Sequence, residues 1–155
     1  MKRFFCGICV IGLAALLGTA VIETPKAEAS YRVQGRQYYG TWSYNEINRY
    51  HYRQYHYKPV VTATTYSYHY VIHYQTQPRY HYYYNPVRRH YWGRYDIEEK
   101  GYSMLAEADR KEKLEDIKDS AFPKPTKMPN MPDADDKVEM EVPPNDTPKG
   151  DPAKK

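Results

Sequence analysis

Cysteine is nearly missing from this 155-residue chain, which has two, Cys6 and Cys9. Both lie in a stretch that reads as an export signal. Lys2 and Arg3 supply a basic start, Phe4 to Ile22 is an uncharged run, and Pro25 interrupts any helix. Ala27, Glu28 and Ala29 then form a small-x-small site before Ser30. Residues 1–29 are therefore expected to be a signal peptide cleaved after Ala29, leaving a secreted, periplasmic or cell-envelope protein. The uncharged run also has about the length that crosses a bilayer, so retention as an anchor is the alternative. After cleavage no membrane segment is expected. Cys6 and Cys9 make a C-x-x-C pair, elsewhere a redox or metal signature, but here the pair leaves with the signal. A mature chain without cysteine has no disulfide, thiol nucleophile or thiolate metal site, although an exported chain could keep disulfides.

Catalytic signatures are also absent. The sequence has no G-x-S-x-G elbow, phosphate-binding loop, dinucleotide fingerprint or H-E-x-x-H helix. A glycosidase needs two placed carboxylates, yet Glu46 is the only acid between Tyr31 and Tyr95. No enzyme is expected, and no cofactor is implied. Aliphatic residues are few in the same stretch: Val33, Ile47, Val60, Val61, Val71, Ile72 and Val87 are the main ones. Tyrosine has to do most of the burying there, and each buried hydroxyl needs a hydrogen-bond partner.

What is present divides into two halves of opposite charge. Tyr31 to Tyr95 holds eight arginines and Lys58 against Glu46, a balance of +8, and 18 of the 19 tyrosines. Asp96 to Lys155 holds eleven basic and sixteen acidic residues, a balance of −5. Tyr-His-Tyr recurs at Tyr50, Tyr55, Tyr68 and Tyr80 with irregular spacing, so no solenoid is indicated. Val60 to Tyr74, rich in Val, Thr, Tyr and Ile, reads as a strand. Gln75 to Arg79 reads as a turn and Tyr80 to Tyr84 as a second strand ended by Asn85 and Pro86. Ser103 could cap a helix running from Met104 to about Lys118, with Glu107–Lys111 and Asp109–Lys113 pairs. Eight prolines follow Asp119, and a tail of that composition is expected to stay disordered. The expected fold is a small α+β one. A short antiparallel hairpin or sheet lies at 60–84 within a basic region at 30–102, an exposed helix at 103–118, and a disordered Pro-rich acidic tail at 120–155.

Three constellations could carry a function. Six histidines lie in the basic half, and His69, His73 and His81 are the candidate metal ligands. On one strand His69 and His73 stand about 13 Å apart, too far to share an ion, so a site would need a histidine from another strand, such as His81. Arg88, Arg89, Tyr91, Trp92, Arg94 and Tyr95 form a candidate interaction surface, because guanidinium and aromatic faces attract one another and polyanions. An exported chain would not meet RNA or genomic DNA, so its partner is expected to be itself, its own acidic tail or an anionic envelope or matrix polymer. Aromatic rows also stack on sugar rings. Trp42 and Trp92 are the best platforms in sequence, and Glu46, Asn45, Asn48, Gln54 and Asn85 are the nearest groups for sugar hydroxyls.

From Arg79 the chain reads RYHYYYNPVRRHYWGRYDIEEKGYSML, then AFPKPTKMPNMPDADD and EMEVPPNDTP. Over roughly Tyr80 to Pro148 this resembles a group of small exported tyrosine-rich proteins of planctomycete type, most specifically from Asn85 to Asp96. The resemblance implies export, a shared aromatic core and a proline-rich tail, and brings no activity, ligand or site residue. The sequence as a whole points to a non-enzymatic structural or adhesive component of the envelope or matrix, acting through tyrosine-rich self-association. The alternative is a periplasmic metal- or polyanion-binding protein using its histidines and arginines.

Overall fold

The structure is a computed structural model that describes residues 35–150. The expected signal peptide and its cleavage site lie outside the described residues. Seven antiparallel strands make one curled, half-barrel sheet: β1 (Gln37–Tyr39), β2 (Ser43–Asn45), β3 (Tyr50–Tyr57), β4 (Ser67–Tyr74), β5 (Tyr80–Asn85), β6 (His90–Asp96) and β7 (Gly101–Met104). The order across the sheet is β1-β3-β4-β5-β6-β7, and β2 also pairs with β3. β1 takes the Tyr55–Tyr57 end of β3 and β2 the Tyr50–Tyr52 end. The two short strands therefore share one edge, interrupted at Gly40–Trp42.

Three hairpin turns use the same local chemistry. Asn45 accepts the Asn48 N–H at 2.9 Å, Asn85 accepts those of Val87 and Arg88 at 2.9 Å, and Asp96 accepts those of Glu98 and Glu99 at 3.0 Å. Each turn ends four residues on with a left-handed basic residue: Arg49, Arg89 and Lys100, at φ 53°, 54° and 53°. An Asx side chain substitutes for a backbone acceptor and starts the turn.

Strand β3, YHYRQYHY, alternates strictly between half-buried and buried. Its buried face carries His51, Arg53, Tyr55 and Tyr57. That face continues through His69, Val71 and His73 of β4, His81 and Tyr83 of β5, and Tyr95 and Tyr102 of β6 and β7. The opposite face carries Tyr50, Tyr52, Tyr70, Ile72, Tyr74, Tyr82, Tyr84 and Tyr91. Trp92 is the extra residue of a bulge, because Tyr83 faces Gly93 while Tyr84 faces Tyr91. The bulge turns Trp92 and Gly93 to the same side, and the Tyr102 ring lies directly over Gly93. A Cβ on Gly93 would stand 2.5 Å from the Ser103 carbonyl oxygen and 2.6 Å from the Tyr102 ring.

The α+β expectation is overturned: the described chain is β throughout, with no α-helix. Where an exposed helix was expected at 103–118, Ser103 and Met104 finish β7. Isolated 3-10 turns follow at Glu107–Asp109 and Leu114–Asp116, and a third at Asp119–Ala121, none with a side-chain cap. The reason is tertiary. Leu105, Leu114, Ile117 and Phe122 are drawn down over Ile72, Tyr82 and Tyr91, and an extended chain spreads these anchors over more sheet than one helical face would.

The large disordered fraction is likewise corrected across the described part of the tail. Met128, Met131 and Met140 are buried against Tyr55, Tyr57, Val71, Tyr83, Tyr95 and Tyr102. Thr126 exchanges backbone bonds with Tyr102 at 2.7 and 2.9 Å. Further on, the Gln37 side chain donates to the Glu139 carbonyl at 2.9 Å and accepts from the Glu141 N–H at 3.0 Å. The tail thus runs from the β7 edge to the β1 edge, covering one face of the sheet and, at the β7 edge, occupying the Tyr102 backbone groups that would otherwise invite pairing with another chain. The hairpin expected at 60–84 exists as β4 and β5, with its first strand beginning at Ser67.

Candidate functional site

The charged halves meet within the chain. Arg36 pairs with Asp136, Arg53 with Asp146, Arg88 with Asp133, Arg89 with Glu112, and Arg94 with Asp119. Arg79 serves Asp96, Glu98 and Glu99 together. Arg53 is 2 % exposed, its guanidinium 4.3 Å from the Trp42 ring and 2.8 Å from the Asp146 carboxylate. Burial by itself would raise the pKa of the Asp96 carboxyl. The Arg79 guanidinium and the Glu98 and Glu99 N–H groups outweigh it and hold that pKa below the usual value.

The candidate surface at Arg88, Arg89, Tyr91, Trp92, Arg94 and Tyr95 is divided among different environments. Arg88 and Arg89 sit on the exposed β5–β6 turn, whereas Tyr91, Arg94 and Tyr95 are buried. Tyr91 and Arg94 belong to one face of the sheet, Trp92 and Tyr95 to the other. Arg94 is held between the Tyr80 and Phe122 rings, 3.9 and 4.1 Å from their centroids.

Of the three candidate ligand histidines, the fold brings two together. His73 and His81 are neighbours across β4 and β5, with ring centroids 5.2 Å apart. His51 is the cross-strand partner of His73 on its other side. His69 lies apart from them, against Tyr57 and Trp92. His69, His73 and His81 are each 1 % exposed. Burial drives His69 and His81 down to about 3, helped by His90 in the first case and His73 in the second. Both nitrogens of His81 are without a hydrogen-bond partner among the described residues. Beside it a cavity of about 230 Å³ is lined by Tyr95, Val142, Pro143 and Asn145. Two imidazoles are fewer than the three protein ligands of a typical catalytic zinc site. Among the described residues no group of three or more His, Cys, Asp or Glu side chains is placed to hold an ion.

The opposite face presents a different arrangement. Covered by residues 105–122 at the β5–β7 side, it is left open over β3 and β4. An open groove of about 630 Å³ is lined there by Tyr50, Tyr52, Tyr70, Ile72, Tyr84 and Tyr91, with Asn45 and Asn48 from the β2–β3 turn and Glu112 and Lys113 opposite. A second groove of about 600 Å³ shares Asn48, Tyr50, Tyr91, Glu112 and Lys113 and continues past Tyr74 and Gln77. Neighbouring rings stand edge to face: Tyr50 to Tyr52 at 6.2 Å, Tyr52 to Tyr70 at 5.8 Å and Tyr84 to Tyr91 at 5.2 Å. This arrangement suits the ring quadrupoles and displays ring faces and hydroxyls by turns. Burial raises the pKa of the Tyr91 hydroxyl far above its ordinary value, with Tyr74 adding to the effect. Burial and then Glu112 raise that of Tyr84. Both phenols therefore stay protonated.

No protein-family model, curated protein or solved structure matches this chain.

Trp42 and Trp92, the stacking platforms expected from sequence, are on the other face. Trp42 packs on Arg53 and 5.2 Å from His81, and Trp92 on His69 and Tyr102. The amides Asn45 and Asn48 do reach the aromatic row. Glu112 and Lys113 carried no local signal, because only the wrap of residues 105–122 brings them to β3. No helix among the described residues is long and apolar enough to cross a membrane.

Proposed function

We propose that this chain is an exported, non-enzymatic structural or adhesive component of the cell envelope or matrix, making its contacts through the tyrosine-paved face over β3 and β4. The observation that carries this reading is the division of labour between the residue types. Six arginines of the basic half are engaged with the chain's own acids, while the tyrosines on that face remain half-exposed. A surface adapted to polyanions would keep its cations free to displace counterions. The half-exposed rings keep large apolar areas with polar hydroxyls at their tips, the composition enriched at protein contact surfaces.

The test is fractionation of native cells with mass spectrometry of the mature amino terminus, comparing wild type with a Tyr52→Ala/Tyr70→Ala double variant. Wild type is expected in the insoluble envelope or matrix fraction with Ser30 first, and the double variant in the soluble fraction. Retention of both in the insoluble fraction would place the contact elsewhere. Sedimentation velocity across a hundredfold concentration range reads self-association directly.

A further inference from the structure

Resting on that reading of the tyrosine face, we propose that the groove formed by Tyr50, Tyr52, Tyr70, Tyr84 and Tyr91 with Asn45, Asn48 and Glu112 is a binding site for an uncharged, extended glycan chain.

Four features of the groove select this class of ligand. The first is its lining. A pyranose ring has faces made of C–H groups and a rim of hydroxyls. It therefore needs aromatic faces below and hydrogen-bonding groups at the sides. Tyrosine rings form the floor, and the side chains of Asn45, Asn48 and Glu112 stand at the rim. Asn45 Nδ2 lies 3.5 Å from the Tyr50 hydroxyl, so amide and phenol can act on the same sugar hydroxyl.

The second feature is charge. Glu112 is paired with Arg89, and Lys113 Nζ lies 3.6 Å from Glu115. The groove thus carries no unopposed charge of either sign, and a polyanionic chain would find no free cation at its lining. This selects a neutral glycan over the anionic polymer expected from the composition.

Third, the groove is large. Its volume of about 630 Å³ is within the range of about 300–1,000 Å³ usual for small-ligand sites. The adjoining groove past Tyr74 and Gln77 extends the same floor. One sugar would leave most of that space unused, whereas a chain would occupy it.

The fourth feature is the ring mosaic. Edge-to-face neighbours cannot form one flat shelf, so stacking positions alternate with hydroxyl positions along the row. Successive sugars in an extended chain are flipped about the chain axis, so each lays a C–H face on the floor while its hydroxyls point to the flanks, where the hydroxyls of the upturned rings can meet them. Contacts with large apolar tips would suit a second copy better, but the most exposed apolar side chains, Ile47 at 92 % and Val87 at 88 %, belong to turns and do not line the groove.

The experiment uses the mature full-length chain, 30–155, with cellohexaose and chitohexaose as soluble probes in calorimetry and insoluble cellulose and chitin in pull-down. At least one of the two glycans is expected to bind saturably, with an affinity that changes less than threefold between 50 and 500 mM salt. Tyr52→Ala should weaken it at least tenfold. Asn48→Ala, an exposed turn substitution that leaves the sheet untouched, should weaken it about threefold to tenfold, and thermal melts of both variants show whether the fold is retained. Three outcomes overturn the proposal: no saturable binding to either glycan, binding undiminished in both variants, or a dimer in sedimentation that the Tyr52→Ala substitution dissociates. An envelope-bound chain released by Tyr52→Ala/Tyr70→Ala that nonetheless binds neither glycan would refute the glycan assignment and leave the adhesive reading standing. Glycan binding by a chain found only in the soluble fraction would do the reverse.

Discussion

Acidification to pH 5 is expected to remove a large part of this protein's stability, and the buried histidines set the magnitude. His69 and His81 are held at about 3 by burial, whereas an unfolded histidine titrates at about 6.5. The unfolded chain therefore binds protons that the folded chain refuses. The stabilisation is fully present above about pH 6.5 and is lost as pH falls toward 3. Each histidine contributes a slope of about 1.4 kcal/mol per pH unit inside that window. Between pH 7 and pH 5 the loss is about 2 kcal/mol per histidine, or roughly 4 kcal/mol for the two, against a typical domain stability of about 5–15 kcal/mol. His73 is also lowered by burial and adds to the same trend. Asp96, whose pKa is held below the ordinary carboxyl value, gives up its stabilisation only as pH falls through the unfolded carboxyl value of about 3.9, under the range in which the histidines are read. Urea unfolding followed by intrinsic fluorescence at half-unit steps from pH 8 to 4.5 measures the slope, and His81→Phe should reduce it by about one proton's worth. Unfolding free energies constant within 1 kcal/mol from pH 7 to 5 would refute the burial argument.

Other substitutions probe the joints between tail and sheet. Gly93→Ala should cost about 1–3 kcal/mol in chemical denaturation, since its Cβ meets the Ser103 carbonyl at 2.5 Å and the Tyr102 ring at 2.6 Å. Met131→Ala should cost about 2–5 kcal/mol and expose residues 126–150 to limited proteolysis, read by mass spectrometry; a tail that stays resistant would argue against its docking. Asp146→Asn should cost about 1–3 kcal/mol, because it takes the carboxylate from the buried Arg53 guanidinium, a cost that solvent at the half-exposed Asp146 moderates. An Arg53→Met/Asp146→Asn double variant should recover part of that loss in the same assay.

The hairpin at β4 and β5 was legible in sequence because its strands contain Val71, Ile72 and a run of tyrosines and end at turn residues. β3 was hidden, although it is the most regular strand in the structure. Alternation can be read only when the inward residues are the apolar ones, and β3 buries His51 and Arg53 while leaving Tyr50 and Tyr52 half-exposed. That inversion is tolerable because Arg53 meets Trp42 and an aspartate 93 residues further along the chain, a fact no local window contains. The helix expected at 103–118 failed for a related reason. Its charge pairs are local preferences of a few tenths of a kcal/mol each and its cap is worth about 1 kcal/mol, too small to oppose burial of Leu105, Ile117 and Phe122 on the sheet.

By itself the sequence determined the charge division, the absence of cysteine from the body of the chain, the dependence on tyrosine for burial and the β4–β5 hairpin, all of which follow from residue type or near-neighbour pattern. The tertiary structure alone decided which arginines are spent internally, which tyrosines remain open, and that Asn45 and Asn48 face Glu112 across a groove. Those depend on long-range pairing between two halves of opposite charge, and on a methionine-studded tail whose composition predicts disorder until the aromatic sheet gives it a surface on which to bury.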